Sequence, residues 1–238
     1  MRAPVRVVAL CLLVACAPAP KREVAAPYEL GATEYSLPKD QPGHKSTRDL
    51  VQIADGLKEV QQRLMLTDAA ERDATYQKWS GLLLDARALD QSAYTEEQRV
   101  VVLAVLGELY REGSAFGVHG AAELADQTLS ECLRKSPGSV PCNMSLVELD
   151  LTSKLSEDRV ARIQRSLAAL RQELGPEPSE FVEAELVHLR MLQRDGPRTQ
   201  SAIDAYLEDF PHGQFAEQFR RARTKLDEGG TTPPEPEP

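Results

Sequence analysis

From about residue 46 to residue 226, apolar residues return every three to four positions, and each run stops at proline, glycine or a capping residue. A period near 3.6 puts such side chains on one stripe of a helix, whereas a half-buried strand needs strict alternation. Leu50, Ile53, Leu57, Val60 and Leu64 form the first stripe, behind a Ser46-x-x-Asp49 variant of the capping box. Thr67-Asp68 opens a second, with Tyr76, Trp79, Leu82, Leu83 and Leu89, and Thr95-x-x-Gln98 opens a third through Val100, Leu103, Leu106 and Tyr110. A fourth covers about 121–134. A fifth starts at Ser139 and Pro141, a sixth follows Ser156 and stops at Gly175-Pro176, and a seventh begins at Ser179 and stops at Gly196-Pro197. The eighth runs 199–210 up to Pro211, and the ninth about 214–226. This pattern predicts nine short helices and no strand. Short connections make successive helices antiparallel neighbours, so the expected fold class is all-α. Composition agrees: aromatic residues are 5% of the chain and helix formers abound.

The helix-closing prolines Pro137, Pro176 and Pro211 stand 39 and 35 residues apart. Leu106-Gly107-x-x-Tyr110 is followed by Ala125-x-x-x-Leu129-x-x-Cys132-Leu133-x-x-x-Pro137. Gly107 and Ala125 are small where two helices would cross, Tyr110 and Leu129 would fill the adjoining groove, and Pro137 would end the second helix. This unit resembles the 34-residue tetratricopeptide repeat, with Leu129 and Cys132 in place of the usual aromatic residue and alanine. About six extra residues fall around Gly113–Gly120. Near the C-terminus, Ala202-x-x-x-Tyr206-Leu207-x-x-Phe210-Pro211-x-x-x-Phe215-Ala216 is similar to the repeat unit of periplasmic lipoproteins such as that of the outer-membrane β-barrel assembly machine, with Gly213 where serine is usual. The resemblance implies antiparallel pairs stacked as a right-handed, TPR-like superhelix over residues 46–228. The alternative is an irregular helical bundle with ordinary proline stops.

At the N-terminus, Arg2 and Arg6 precede an apolar run that ends in Leu13-Val14-Ala15-Cys16. The run has the length of a signal-peptide core and is well short of the ~20 residues of a membrane-spanning helix. Residues 1–16 resemble the bacterial lipoprotein signal peptide, whose lipobox is Leu-x-[Ala/Gly/Ser]-Cys. The resemblance implies cleavage after residue 15 and acylation of Cys16, making the acyl chains the protein's hold on the membrane. Ala17 follows the cysteine, with no aspartate to signal inner-membrane retention, so the implied address is the periplasmic side of the outer membrane. The other reading is an ordinary secretory signal cut at an Ala-x-Ala-like site. Five prolines (Pro18, Pro20, Pro27, Pro38 and Pro42) interrupt residues 16–45, which read as a disordered tether reaching about 30 Å at ~5–6 Å × √n. Residues 229–238, rich in proline and glutamate, read as a disordered tail.

Without the leader's two arginines the chain carries 26 basic against 37 acidic residues, a net charge of about −11. Such a balance excludes nucleic acid as partner, because binding it depends on cations that neutralise phosphates. Beyond the leader and Cys16, only Cys132 and Cys142 remain. In an oxidising compartment the pair is a disulfide candidate, the alternative being two buried independent thiols.

No motif for catalysis, for a cofactor or for a metal stands out. The histidines His44, His119, His188 and His212 are scattered, and neither His-Glu-x-x-His nor a phosphate loop occurs. Glu148/Asp150 and Glu96/Glu97 read as solvated faces or helix-start charges. What remains is a protein-binding helical array. Phe116, in the glycine-rich turn, is the candidate partner contact, a harmless flexible insertion being the other reading, and Phe215 with Phe219 forms a second apolar stripe. The expectation is a non-enzymatic, lipid-anchored adaptor that binds protein partners during assembly of envelope machinery, with repeat-containing pilotins of pilus secretins as one resembling group. A peptidoglycan-acting helical lipoprotein, using a carboxylate pair, is the competing class.

Overall fold

The computed structural model describes residues 35–40, 43–64 and 69–228, which build nine α-helices, one short 3-10 turn and no strand. The helices are α1 (Leu50–Leu64), α2 (Ala69–Arg87), α3 (Glu96–Ala115), α4 (Ala121–Lys135), α5 (Val140–Leu151), α6 (Glu157–Leu174), α7 (Glu180–Leu192), α8 (Gly196–Asp209) and α9 (Ala216–Asp227). The fold is all-α. Among the described residues no helix is long and apolar enough to cross a membrane.

Local chemistry sets most boundaries. Thr95 and Gln98 exchange both bonds of the capping box ahead of α3. The helices α4, α6 and α8 each end two residues before Pro137, Pro176 and Pro211, since a proline drives the residue before it out of the helical region. Three expectations shift. The cap of α1 is Asp49, not Ser46: the Asp49 carboxylate accepts from the Gln52 N–H at 2.9 Å, and the Gln52 amide oxygen accepts from the Asp49 N–H at 3.1 Å. Ser46 bonds within its own turn, accepting from the Arg48 N–H. Helix α8 begins three residues early because Pro197 sits in its first turn, where its missing N–H costs no bond, and Asp195 caps it. The Thr67-Asp68 opening of α2 lies outside the described residues.

Each helix packs on the next, and the odd-numbered helices also touch one another, α1 on α3, α3 on α5 and α5 on α7. Small residues make these crossings close. A Cβ on Gly107 would lie 2.5 Å from the Leu129 side chain of α4, and one on Gly56 of α1 would lie 2.7 Å from Leu82 of α2. Gly113, expected in the turn, belongs to α3 and faces Trp79. Trp79 is fully buried and donates its indole N–H to the Leu109 carbonyl at 2.6 Å.

The apolar interior forms three clusters. The first spans α1–α5 and holds Leu106, Tyr110, Ala125, Leu129 and both cysteines, with Leu133 packed at its edge. The second joins α5, α6 and α7 through Val147, Ile163, Leu170 and Leu189. The third joins α7, α8 and α9 through Val187, Tyr206 and Phe219, with Ala202 beside it. Helices α5 and α7 thus each serve two clusters from opposite faces. That explains why neither shows a single clean apolar stripe. Pro137 and Pro211 are exposed and act as helix stops, not as packing residues. Cys132 and Cys142 form a disulfide across the α4–α5 turn, with Cα atoms 6.4 Å apart.

The expected tether is shorter than the prolines suggest. Residues 35–40 and 43–48 lie as a strap along α2. Tyr35 stacks on Tyr76 at 4.4 Å and donates to Asp73, and the Tyr76 hydroxyl donates to the Ser36 carbonyl at 2.6 Å. Arg87 donates to the Pro38 carbonyl and pairs with Asp40 at 3.0 Å. Buried Asp85 gathers His44, Thr47 and Arg48. Burial raises its carboxyl, but the Thr47 N–H, Arg48 and His44 hold it below the usual range. Prolines removed the period from this stretch without removing its contacts. The earlier tether residues, the lipobox and Cys16 lie outside the described residues, as does the tail from 229.

Candidate functional site on the inner helices

Helix α3 carries an apolar run over 100–107, and Glu108, Arg111 and Glu112 follow it at helical spacing. Their neighbours come from the other odd-numbered helices. The Arg111 guanidinium donates to Glu108 at 2.9 and 2.5 Å, to Glu112 at 2.5 Å, and meets Glu148 of α5 at 3.1 Å. Gln61 of α1 donates its amide to Glu108 at 2.5 Å and to Glu112 at 3.1 Å. Ser145 of α5 hydrogen-bonds Glu108. On α7, Glu185 lies near enough to Glu148 to act on its charge, and accepts from His188 Nδ1 at 3.1 Å. The His188 ring meets Phe215 and Phe219 edge-on at 5.3 and 5.4 Å. One continuous polar strip therefore runs over α1, α3, α5 and α7.

Its electrostatics are unbalanced. One guanidinium serves three carboxylates, and its ionised form is strongly favoured by Glu108 and Glu148 despite burial. Burial would raise Glu108, but the charge and bonds of Arg111 hold it below the usual range. Glu112 is raised, by burial first and then by Glu108. Burial, with Glu108, Glu185 and Glu112, pushes Glu148 up to about 7 against the pull of Arg111. Glu148 is also the open member: its side chain is 35% exposed, against 6% for Glu112. An outside cation meeting that carboxyl would relieve repulsion and fix it in the ionised form.

Glu148 and Asp150, expected on a solvated face, part company in the fold. Asp150 is fully buried and ion-paired with Arg162 and Arg159 of α6, and Arg162 also pairs with Asp126 of α4, while Glu148 belongs to the inner strip. Among the described residues no group of three or more His, Cys, Asp or Glu is arranged to hold a metal ion.

Phe116 is not a surface contact. It is 3% exposed, enclosed by Tyr35, Tyr76 and Trp79, and the turn around it is tight, with Gly117 and Gly120 in the left-handed region at φ 80° and 78°. Nor are Phe215 and Phe219 a free stripe, since they close the third cluster. The repeat residues Leu106, Gly107, Tyr110, Ala125 and Leu129 do converge, in the first cluster, and Ala202 and Tyr206 meet in the third. The acidic strip escaped the sequence reading. Its one signal was the charged trio at 108, 111 and 112 following the apolar run 100–107 of the same helix.

Comparisons with protein-family models, with curated proteins and with solved structures find no match.

Proposed function

We propose that this chain is a non-catalytic adaptor, lipid-anchored through Cys16 on the periplasmic side of the outer membrane, whose inner helices dock a basic segment of a partner protein during envelope assembly. The observation that carries the docking reading is the strip centred on Arg111, with Glu148 half-open above it. Contacts among α1, α3, α5 and α7, made in addition to those between sequence neighbours, suit a TPR-like stack whose first helices line a shared inner face. The small residues Gly56, Gly107, Ser145 and Ala184, each buried in successive odd-numbered helices, suit the same repeat. The lipobox supplies the address, and several acyl chains at ~0.8 kcal/mol per CH₂ hold far more firmly than the single myristoyl group that binds only marginally. The disulfide suits an oxidising compartment.

Two measurements test this reading. Cys16→Ser should leave the helices folded and move the protein out of the membrane fraction; pelleting with membranes unchanged would refute the anchor. A photo-crosslinker at Glu148 in living envelopes should capture a protein through a Lys- or Arg-rich segment, with yield falling as salt rises. Capture of neutral or acidic segments only would refute the docking chemistry.

A further inference from the structure

The strap determines where the N-terminal segment enters the fold, and its contacts there are with residues other than those of the acidic strip. Its contacts fall on α2 (Asp73, Tyr76, Asp85, Arg87) and on the α3–α4 turn, where Tyr35 meets Phe116 and Leu37 reaches Gly120. None of the strap's contacts described above involves Gln61, Glu108, Arg111, Glu112, Glu148, Glu185 or His188. Charge differs between the strap and the strip. The strap and the adjoining α2 surface expose Lys39 and Lys45 with Asp40 and Asp73, a near balance, whereas the strip sets four glutamates against one arginine.

We infer that the strap orients the anchored protein, turning the α2 side toward the lipid surface and holding the acidic inner face toward the periplasm. The inference rests on the lipid-anchor reading above. Eighteen residues separate Cys16 from Tyr35, so the chain leaves its acylated end and enters the fold at one fixed point, the aromatic slot of Tyr76 and Phe116. Anionic head groups repel the strip more than the near-balanced α2 side, so the electrostatic bias adds to the geometric one. An adaptor built this way presents its docking face to partners instead of burying it against its own membrane.

The test uses the acylated full-length protein in phosphatidylethanolamine/phosphatidylglycerol vesicles containing a head-group-linked quencher. One fluorophore is placed by Gln77→Cys, one turn beyond Asp73 on α2. The other is placed by Lys58→Cys, one turn before Gln61 on α1. Both sites are exposed, and the native disulfide does not compete for the label. The Gln77 label is expected to be quenched several-fold more than the Lys58 label. Releasing the strap with Tyr35→Ala and Arg87→Ala should bring the two close to equality, with helical content checked by circular dichroism. Equal quenching with the strap intact, in protein that Cys16→Ser removes from the vesicles, would overturn the orientation and leave the anchor standing. No quenching of either label, matching Cys16→Ser, would overturn both.

Discussion

Arg111 of α3 meets Glu148 of α5 at 3.1 Å, while the same guanidinium nitrogen is held by Glu108 and Glu112 of its own helix. Burial first, and then the charges of Glu108, Glu185 and Glu112, outweigh the pull of Arg111 and hold the Glu148 carboxyl up to about 7.

A carboxyl raised in the fold binds a proton that the unfolded chain has already released. Glu148 thus favours the folded state fully below the ordinary value of 4.5, and that contribution is lost as pH rises through about 7. Glu148→Gln should leave the melting temperature nearly unchanged at pH 5 and raise stability at pH 8 by about 1 kcal/mol, the full shift being discounted for solvent screening of a partly exposed group. Thermal melts across pH 4.5–8.5 would show it; a stabilisation independent of pH would contradict the assignment.

Removing Arg111 leaves buried carboxylates facing one another. Arg111→Met should cost roughly 3–5 kcal/mol at pH 7, as loss of one partner from a buried ion pair does. The loss should shrink toward pH 5, where the carboxyls can protonate. Urea titrations at the two pH values measure the difference.

Gly107→Ala drives a methyl into Leu129 at 2.5 Å, at the crossing of α3 and α4. Overpacking of this kind costs about 1–3 kcal/mol. The pair Gly107→Ala with Leu129→Ala should recover less than it loses, because the smaller side chain leaves a cavity. A double-mutant cycle by denaturant unfolding reads the coupling.

Gly213 sits where the fold leaves no room for a side chain. A Cβ there would lie 2.4 Å from both the Glu180 carboxylate and the Tyr206 hydroxyl. Tyr206 donates to Glu180 at 2.7 Å and accepts from the Phe215 N–H at 3.1 Å, which ties α7, α8 and the start of α9 together. Gly213→Ser should destabilise the C-terminal cluster by about 1–3 kcal/mol. Amide exchange should quicken in α8 and α9 before α3.

The disulfide closes a loop with a sequence separation of 10 across the α4–α5 turn. In the chain-entropy account such a loop contributes about 3 kcal/mol, so Cys132→Ser with Cys142→Ser should lower stability by that order. Unfolding of oxidised and reduced protein, compared side by side, checks it.

Local rules were the most legible. Thr95-x-x-Gln98, Ser156 and the three helix-closing prolines act through neighbours a few residues away, and each did in the fold what its chemistry required. Gly107 and Ala125 were expected at a helix crossing with Leu129 in the groove beside it, and in the fold Leu129 packs directly on Gly107. Asp49 was passed over for Ser46 because both offer a capping oxygen, and only the path of the strap decides between them. The strap itself left no period to read, since Tyr35 finds Asp73 and Tyr76 about forty residues away and Leu37 reaches Gly120 farther still. The acidic strip was hidden for a related reason. Glu108, Arg111 and Glu112 could equally face solvent, and only the approach of Gln61 from α1 and of Ser145 and Glu148 from α5 joins them into one network.

Because α5 and α7 each press opposite faces into different clusters, neither can be lengthened by a single residue without penalty on both sides. One inserted residue turns everything downstream by about 100°. On a terminal helix such a turn spoils one interface; on α5 it would expose Cys142 and Val147 together. The connections escape this double obligation, and the chain takes its irregularity there, in the left-handed turn at Gly117–Gly120 and the short coil before α3. The shared helices behave as common walls between adjoining rooms, and a builder can extend such a house only at its corners.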